Sequence, residues 1–293
     1  MDMKITVIGG GIMGSGIGQV AAQAGFDVTI VDVSEKGLDK ARTSISASLE
    51  KFESKKKIQS AAEVLSRIKF AMDWTSVEEA DAVIEAVPEK LELKKQVFEK
   101  LDQLAGVDCL LASNTSTLSI TAIASATSRP EKVIGMHFFS PVPMMALLEL
   151  IKGYQTSEET YEKAKELGEG LGKRLITAEK DYPGFLMNRI WLPMVNEACF
   201  ALMEGVGTAE EIDQGFIDGY GHKMGPLRTI DMAGIDTTLW AMESLYEGFG
   251  DPKYRPCPIL KKMVEAGDLG KKTGKGFYSY EGGVKEDAKR VVV

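Results

Sequence analysis

Apolar residues in the first 181 positions gather into short continuous runs separated by amphipathic stretches. Ile5 to Ile8, Val28 to Val31, Ala82 to Ala86, Cys109 to Ala112, Val133 to Met136 and Leu147 to Ile151 have strand length and carry almost no polar residue. Between them lie stretches with helical spacing, such as Ile12 to Ala24, which Gly25 ends. Strands that are apolar on both faces and alternate with helices predict an α/β fold: a Rossmann-like, doubly wound, mainly parallel sheet with helices on both faces. The stretch from Ser34 to Lys69 is long for a crossover. Its two helical segments, broken near Lys57 to Ser60, predict a helical hairpin inserted into the unit and standing out from the sheet. After Tyr182-Pro183-Gly184 the strand signal fades. Leu186 to Met203, Ala209 to Phe216, Ile235 to Tyr246 and Ile259 to Ala266 all have helical spacing, so residues 184–293 form a separate all-helical C-terminal domain behind an α/β domain of residues 1–183. The tail after Tyr280 reads as frayed.

The first turn carries chemistry. Gly9, Gly11 and Gly14 make a G-x-G-x-x-G pattern that follows a strand, opens a helix, and is trailed by Asp32 eighteen positions past Gly14 (32 − 14) at the end of the next strand. That context marks a dinucleotide site. Gly9 suits a tight turn, Gly11 the close approach of a pyrophosphate, and Gly14 tight packing of helix on strand. The helix N-terminus offers N–H groups and a partial positive charge to the phosphates. Asp32 suits ribose hydroxyls and repels a 2′-phosphate, and no arginine follows in Val33-Ser34-Glu35-Lys36, so NAD is expected rather than NADP. The same fingerprint serves FAD, but nothing downstream suggests a flavin-contacting segment. A glycine-rich loop with a helix-capping Asp is the plainer alternative.

Composition sharpens the search for a catalytic group, because the chain has only 2 His. His222, in Gly219-Tyr220-Gly221-His222, reads as loop surface. His137 ends the run Val133-Ile134-Gly135-Met136, at the sheet edge where open α/β folds place ligands. Glu149 lies twelve residues on (149 − 137), inside Leu147-Leu148-Glu149-Leu150-Ile151, where a carboxylate is costly to bury unless paired. The intervening Phe138-Phe139-Ser140-Pro141-Val142-Pro143 must turn, so the two runs can lie side by side. A carboxylate on one ring nitrogen fixes the tautomer and makes the imidazole a better base. The pair fits general-base catalysis of alcohol oxidation and equally a core histidine satisfied by a buried glutamate, and spacing does not separate the two.

The formal net charge of −8 argues against nucleic acid and anionic membrane surfaces as partners. Within that acidic field Lys51, Lys55, Lys56 and Lys57 crowd the expected hairpin, either as a solvated helix face or as a patch for an anionic ligand. The 3 Cys are scattered without a CxxC pair, which suits a reducing, cytoplasmic setting and no metal site. The start lacks the pattern of a signal peptide, and no apolar run approaches membrane-spanning length.

Several segments together resemble the 3-hydroxyacyl-CoA dehydrogenase family, close to its 3-hydroxybutyryl-CoA dehydrogenases. They are Val7-Ile8-Gly9-Gly10-Gly11-Ile12-Met13-Gly14-Ser15-Gly16-Ile17, Ala112-Ser113-Asn114-Thr115-Ser116, His137-Phe138-Phe139-Ser140-Pro141-Val142-Pro143, Pro183-Gly184-Phe185 with Asn188-Arg189, and Gly270-Lys271-Lys272-Thr273-Gly274-Lys275-Gly276-Phe277-Tyr278. They follow the family's order over nearly the whole chain. The resemblance implies oxidation of the 3-hydroxyl of a short (S)-3-hydroxyacyl-CoA with NAD. It implies that His137 is the base and Glu149 its partner, with Ser116 and Asn188 positioning the hydroxyl and thioester oxygens. Asn188 comes from the second domain, which places the active site in the interdomain cleft. It further implies that Ile12, Met13, Glu89 and Asn114 join Gly9, Gly11, Gly14 and Asp32 in holding NAD. Ser48 and Lys55 are implied to contact coenzyme A, and the helical domain to form a homodimer. Physically, Ser116 also fits an N-cap for a helix beginning near Leu118, and Asn188 a solvated helix position.

Two positions depart from the family's pattern. Ser140 replaces the usual asparagine after His-Phe-Phe, and Ala146 replaces a lysine often found before Leu147. The segment from Val87 to Lys95 is also similar to the gulonate 3-dehydrogenase and lambda-crystallin branch. A dehydrogenase of free 3-hydroxy acids and a non-catalytic NAD-binding protein therefore stand as alternatives.

Overall fold

In the computed structural model, which describes residues 3–280, the chain divides into two compact units that part between Tyr182 and Pro183. The tail after Tyr280 lies outside the described residues. The first unit is built on one sheet. Strands β1 (Lys4–Ile8), β2 (Asp27–Val31), β3 (Ile68–Ala71), β4 (Ala82–Glu85), β5 (Leu110–Ser113), β6 (Val133–Phe138), β7 (Leu147–Ile151) and β8 (Arg174–Ala178) stand in the order β3-β2-β1-β4-β5-β6-β7-β8. Every neighbouring pair is parallel except β6 and β7. Helices α1 (Ile12–Gln23), α2 (Glu35–Ser54), α3 (Ala61–Ser66), α4 (Thr75–Glu78), α5 (Leu91–Leu104), α6 (Ile120–Ala124) and α7 (Glu158–Gly170) fill the connections. The direction of strand order reverses at β1, between β2 and β4, so the ligand crevice of such a sheet opens at the ends of β1 and β4.

Strands β4, β5 and β6 are buried along their whole length, which accounts for their unbroken apolar runs. The two edge strands, β3 and β8, give no such signal because each is partly open to solvent. The excursion between β2 and β3 does not stand clear of the sheet over its length. Leu38, Ala41, Ile45 and Leu49 recur at helical spacing on α2 and are buried, three of them in the same core as Ile17 and Ala21 of α1. Each of the leucine and isoleucine side chains contributes roughly 1.5–3 kcal/mol when fully buried. The opposite face of α2 is exposed, and so is the turn after Ser54, which carries Lys55, Lys56 and Lys57.

The second unit is helical: α8 (Met187–Met203), α9 (Ala209–Tyr220), α10 (Pro226–Ala233), α11 (Ile235–Phe249) and α12 (Pro258–Ala266). Helix α9 starts in a capping box made by Thr208 and Glu211 and ends on Gly221 in the left-handed region. That end corrects the loop expected at Gly219-Tyr220, since both residues belong to the last turn of α9. His222 follows the cap, its ring edge-on to Phe216 at 5.2 Å between centroids.

Two buried aspartates clasp this unit. Asp213 accepts hydrogen bonds from the Leu227 and Arg228 N–H groups at the start of α10 and from the Tyr278 hydroxyl. Asp231 accepts from the Phe277 and Tyr278 N–H groups and the Tyr280 hydroxyl. A Cβ at Gly276 would lie 2.1 Å from Asp231 Oδ1, so the Gly-Lys-Gly-Phe-Tyr segment exists to let backbone close on that carboxylate. Among the described residues no helix is long and apolar enough to cross a membrane.

Candidate active site

The glycine turn has the shape its chemistry requires. Gly9 adopts φ +109°, and a Cβ there would sit 2.7 Å from the Ala86 carbonyl oxygen. A Cβ at Gly14 would sit 1.8 Å from the Gly9 oxygen, so only glycine lets α1 lie this close to the turn. Over Gly11 there is open space, with no atom within 4 Å of a Cβ position. Gly11 caps α1 without any side-chain hydrogen bond, and the first turn contains no acidic residue. The N–H groups of Ile12 and Met13 therefore face that opening with the positive end of the helix and no built-in anion, as a pyrophosphate requires. Asp32 is set in place from both sides: Oδ2 accepts from Gly10 N–H at 2.7 Å and Oδ1 from Ser34 N–H at 2.9 Å. Each oxygen keeps a further lone pair for ribose hydroxyls. The residues present fit NAD.

Antiparallel pairing brings His137 and Glu149 together. His137 of β6 and Glu149 of β7 are directly opposite in the register, hence on one face of the sheet. Nδ1 of His137 lies 2.9 Å from Glu149 Oε2, with Glu149 fully buried and His137 nearly so. A carboxylate only accepts, so the ring proton sits on Nδ1 and the lone pair on Nε2. The ring of Phe139 lies against the imidazole at 4.5 Å between centroids. Asn114, just past β5, accepts from the Phe138 N–H at Oδ1, at 2.9 Å, and so braces the strand end next to His137.

The loop from β6 to β7 is held down from two directions. Val142 is buried against Gly16 of α1, where a Cβ would approach it to 2.8 Å. The Lys173 ammonium donates to the Val142 and Met145 carbonyl oxygens, both at 2.7 Å, and burial lowers its pKa from the ordinary lysine value. Ser140 and Ala146, the two departures from the family pattern, are exposed on this loop.

Glu89 gathers the loop after β5. Its Oε1 accepts from the Thr115 hydroxyl at 2.5 Å, the Ser116 N–H at 2.7 Å, the Ser116 hydroxyl at 3.2 Å and the Thr117 N–H at 3.3 Å. Ser116 is thus engaged with Glu89, and the capping role belongs to Ser119, whose Oγ accepts from Ala122 N–H at the start of α6. Asn188 is the second residue of α8 in the other unit, after Gly184 and Phe185, both at positive φ. Ser48 and Lys55 lie seven residues apart (55 − 48) along α2 and its C-cap, two turns that put them on one side.

One group escaped the sequence reading. Lys94 of α5 is 1% exposed and lies between Glu85 Oε1 at 2.7 Å and Glu89 Oε2 at 3.2 Å. Glu85, at the end of β4, also accepts from Val87 N–H and the Ser113 hydroxyl, both at 2.6 Å. Burial lifts the Glu85 pKa above the ordinary glutamate value, against the pull of Lys94. A glutamate in the apolar run Ala82-Val83-Ile84-Glu85 carries the same signal as Glu149, and it called for a partner in the same way.

Comparison with known proteins agrees with this geometry. Residues 4–182 match the 3-hydroxyacyl-CoA dehydrogenase NAD binding domain, and residues 184–280 match the C-terminal domain of the same family. The chain is similar to a probable 3-hydroxybutyryl-CoA dehydrogenase of Deinococcus radiodurans, 49% identical over 95% of this chain and 100% of that one. It is 48% identical to the 3-hydroxybutyryl-CoA dehydrogenase of Bradyrhizobium diazoefficiens, over 95% of this chain and 96% of that one. The crystal structure of (S)-3-hydroxybutyryl-CoA dehydrogenase PaaH1 from Ralstonia eutropha superposes with a TM-score of 0.91 at 44% identity, covering 96% of this chain and 100% of that one. With the glycine turn, Asp32 and the paired imidazole all in the family's order, the chain belongs to the 3-hydroxyacyl-CoA dehydrogenase family.

Proposed function

We propose that this protein is an NAD-dependent dehydrogenase of short-chain (S)-3-hydroxyacyl-CoA substrates, 3-hydroxybutyryl-CoA among them. The observation that carries this reading is the buried His137–Glu149 pair at 2.9 Å, on the same sheet as a glycine turn and Asp32 that suit NAD. NAD, when bound, supplies the acceptor for the hydride that leaves C3. His137 takes the hydroxyl proton at Nε2, because Glu149 keeps the other ring proton on Nδ1. Glu149 then stabilises the imidazolium that forms and holds the ring in its orientation. In the reverse direction the imidazolium returns the proton to the developing alkoxide. Ser116 and Asn188 are assigned the hydroxyl and thioester oxygens. Gly9, Gly11, Ile12, Met13, Gly14, Asp32, Glu89 and Asn114 are assigned to NAD.

Coenzyme A brings several phosphate charges to a chain of net charge −8, so its binding calls for local cations. Ser48 and Lys55, with the lysines around the hairpin turn, are assigned that task. A homodimer formed through the helical unit belongs to the same reading. So does a cytoplasmic setting, which the free, buried Cys109, Cys199 and Cys257 support.

Steady-state reduction of acetoacetyl-CoA with NADH and with NADPH, run beside oxidation of free 3-hydroxy acids, tests the proposal. Turnover of the thioester with NADH preferred is the expected result. Turnover of a free 3-hydroxy acid alone would move the reading to the sugar-acid branch, and binding of NAD without turnover of any substrate would sink the enzymatic role.

A further inference from the structure

Three ionisable side chains meet where β4 and β5 end: Glu85, Lys94 and Glu89. Their place follows from the strand order. The glycine turn follows β1 and the base ends β6, with β4 and β5 in between. Neighbouring strands lie about 4.8 Å apart, so a ligand with its phosphates at Gly11 and its reacting ring toward His137 spans roughly 14 Å across the ends of those two strands. The glycine turn touches the end of β4, since a Cβ on Gly9 would strike Ala86. Asn114 ties the end of β5 to β6 through the Phe138 N–H. A nicotinamide half held in this way would pass over the buried trio.

Charge counting gives the trio a sign. Two carboxylates share one ammonium, a formal total of −1. Glu85 is 0% and Lys94 1% exposed, so water screens this charge weakly. Val87 N–H and the Lys94 ammonium, neither able to accept, both point at Glu85 Oε1, and the Ser113 hydroxyl points at Oε2. The ionised carboxylate satisfies all three donors at once. The Glu89 carboxylate likewise takes four donors on one oxygen and Lys94 on the other.

The oxidised nicotinamide ring is a cation, and the reduced ring is neutral. We infer that Glu85, Lys94 and Glu89 act as a charge-setting unit that tightens binding of NAD+ relative to NADH, with Glu85 as its buried source of negative charge. The inference rests on the assignment of NAD to this crevice and deepens it. It gives the buried carboxylate a function in loading the oxidised cofactor and letting the reduced one go.

The test is a pair of dissociation constants, for NAD+ and NADH, measured by calorimetry or protein fluorescence without substrate. Glu85→Gln removes one unit of charge while keeping the side chain's size. It raises the ratio of Kd for NAD+ to Kd for NADH by roughly tenfold, the scale of one charge acting across about 10 Å at an effective dielectric constant of 20. Ser113→Ala removes a hydrogen bond and no charge, and it leaves the ratio where it was. If Glu85→Gln does not fold, Glu89→Gln removes the same charge from the more exposed end and shifts the ratio in the same direction. A folded charge-removing variant with an unchanged ratio, or an equal shift in Ser113→Ala, overturns the inference. Failure of the unsubstituted protein to bind either form of the cofactor overturns instead the functional reading beneath it.

Discussion

At the scale of single residues, the site depends on which atoms can accept and which can only donate. Glu149 leaves His137 one tautomer, and that tautomer is the one a general base needs. His137→Ala should lower kcat by about 10²–10⁴-fold, the usual contribution of a general base, with little change in the Kd for NAD. Glu149→Gln should cost less, because its amide oxygen can still accept from Nδ1 while the charge that favours the imidazolium is gone. A kcat for His137→Ala within a few-fold of the parent enzyme would exclude proton abstraction at this ring. Gly14→Ala should abolish NAD binding, because its methyl group would lie 1.8 Å from the Gly9 oxygen, and calorimetry reads the outcome directly. Much of this was legible in the sequence. A glutamate inside an apolar strand demands a partner, and Glu149 declared His137 that way. Glu85 made the same demand, but its partner Lys94 sits on α5, where a lysine among Leu91-Glu92-Leu93-Lys94-Lys95 looks like any solvated helix position.

At the scale of elements, the strands recovered from the sequence are those that hold the site, and the ones missed are marginal to it. Central strands lose both faces to the core and become apolar throughout. Edge strands β3 and β8 keep solvent-facing positions and so resemble ordinary loop or helix sequence. Helix α10 was missed because eight residues opened by Pro226 give barely two turns of pattern. Its importance lies in the clasp it makes with the closing segment. Asp231→Ala would strand the Phe277 and Tyr278 N–H groups, each worth about 1–3 kcal/mol when buried without a partner. Chemical denaturation should therefore show a loss of several kcal/mol, and a loss indistinguishable from zero would refute the clasp. The hairpin of α2 and α3 is anchored by one apolar face of α2 and exposes its other face and its turn. Reversing the charge of Lys55 and Lys56 should raise KM for acyl-CoA while leaving the melting temperature unchanged. The effect should fade as salt is added. An unaffected KM would return those lysines to the solvent-exposed face they otherwise resemble.

At the scale of the whole molecule, two units with separate cores divide the chain: a sheet unit that matches the family's NAD binding domain, and a helical unit, carrying Asn188, that matches its C-terminal domain. The sequence changes period at Pro183-Gly184, where strand-length runs give way to long helices. Charge also belongs to this scale, since −8 spread over the chain makes each local cation conspicuous. The three thiols are all buried, and burial pushes Cys109 up to about 12. The folded protein should accordingly react slowly with a disulfide reagent at neutral pH and yield three thiols promptly once denatured. Fast labelling of the native protein would show that these interiors open readily.

The single antiparallel step in the sheet, between β6 and β7, means that the chain leaves His137 and comes back to Glu149 along one edge. Residues 139–146 are consequently a span sewn at both ends to the His137–Glu149 pair, yet exposed at Ser140 and Ala146. Such an arrangement leaves the outer positions of the span open to change without disturbing the pairing of the two strands. Substitutions confined to those surface positions should therefore leave the 2.9 Å contact between His137 and Glu149 as it is.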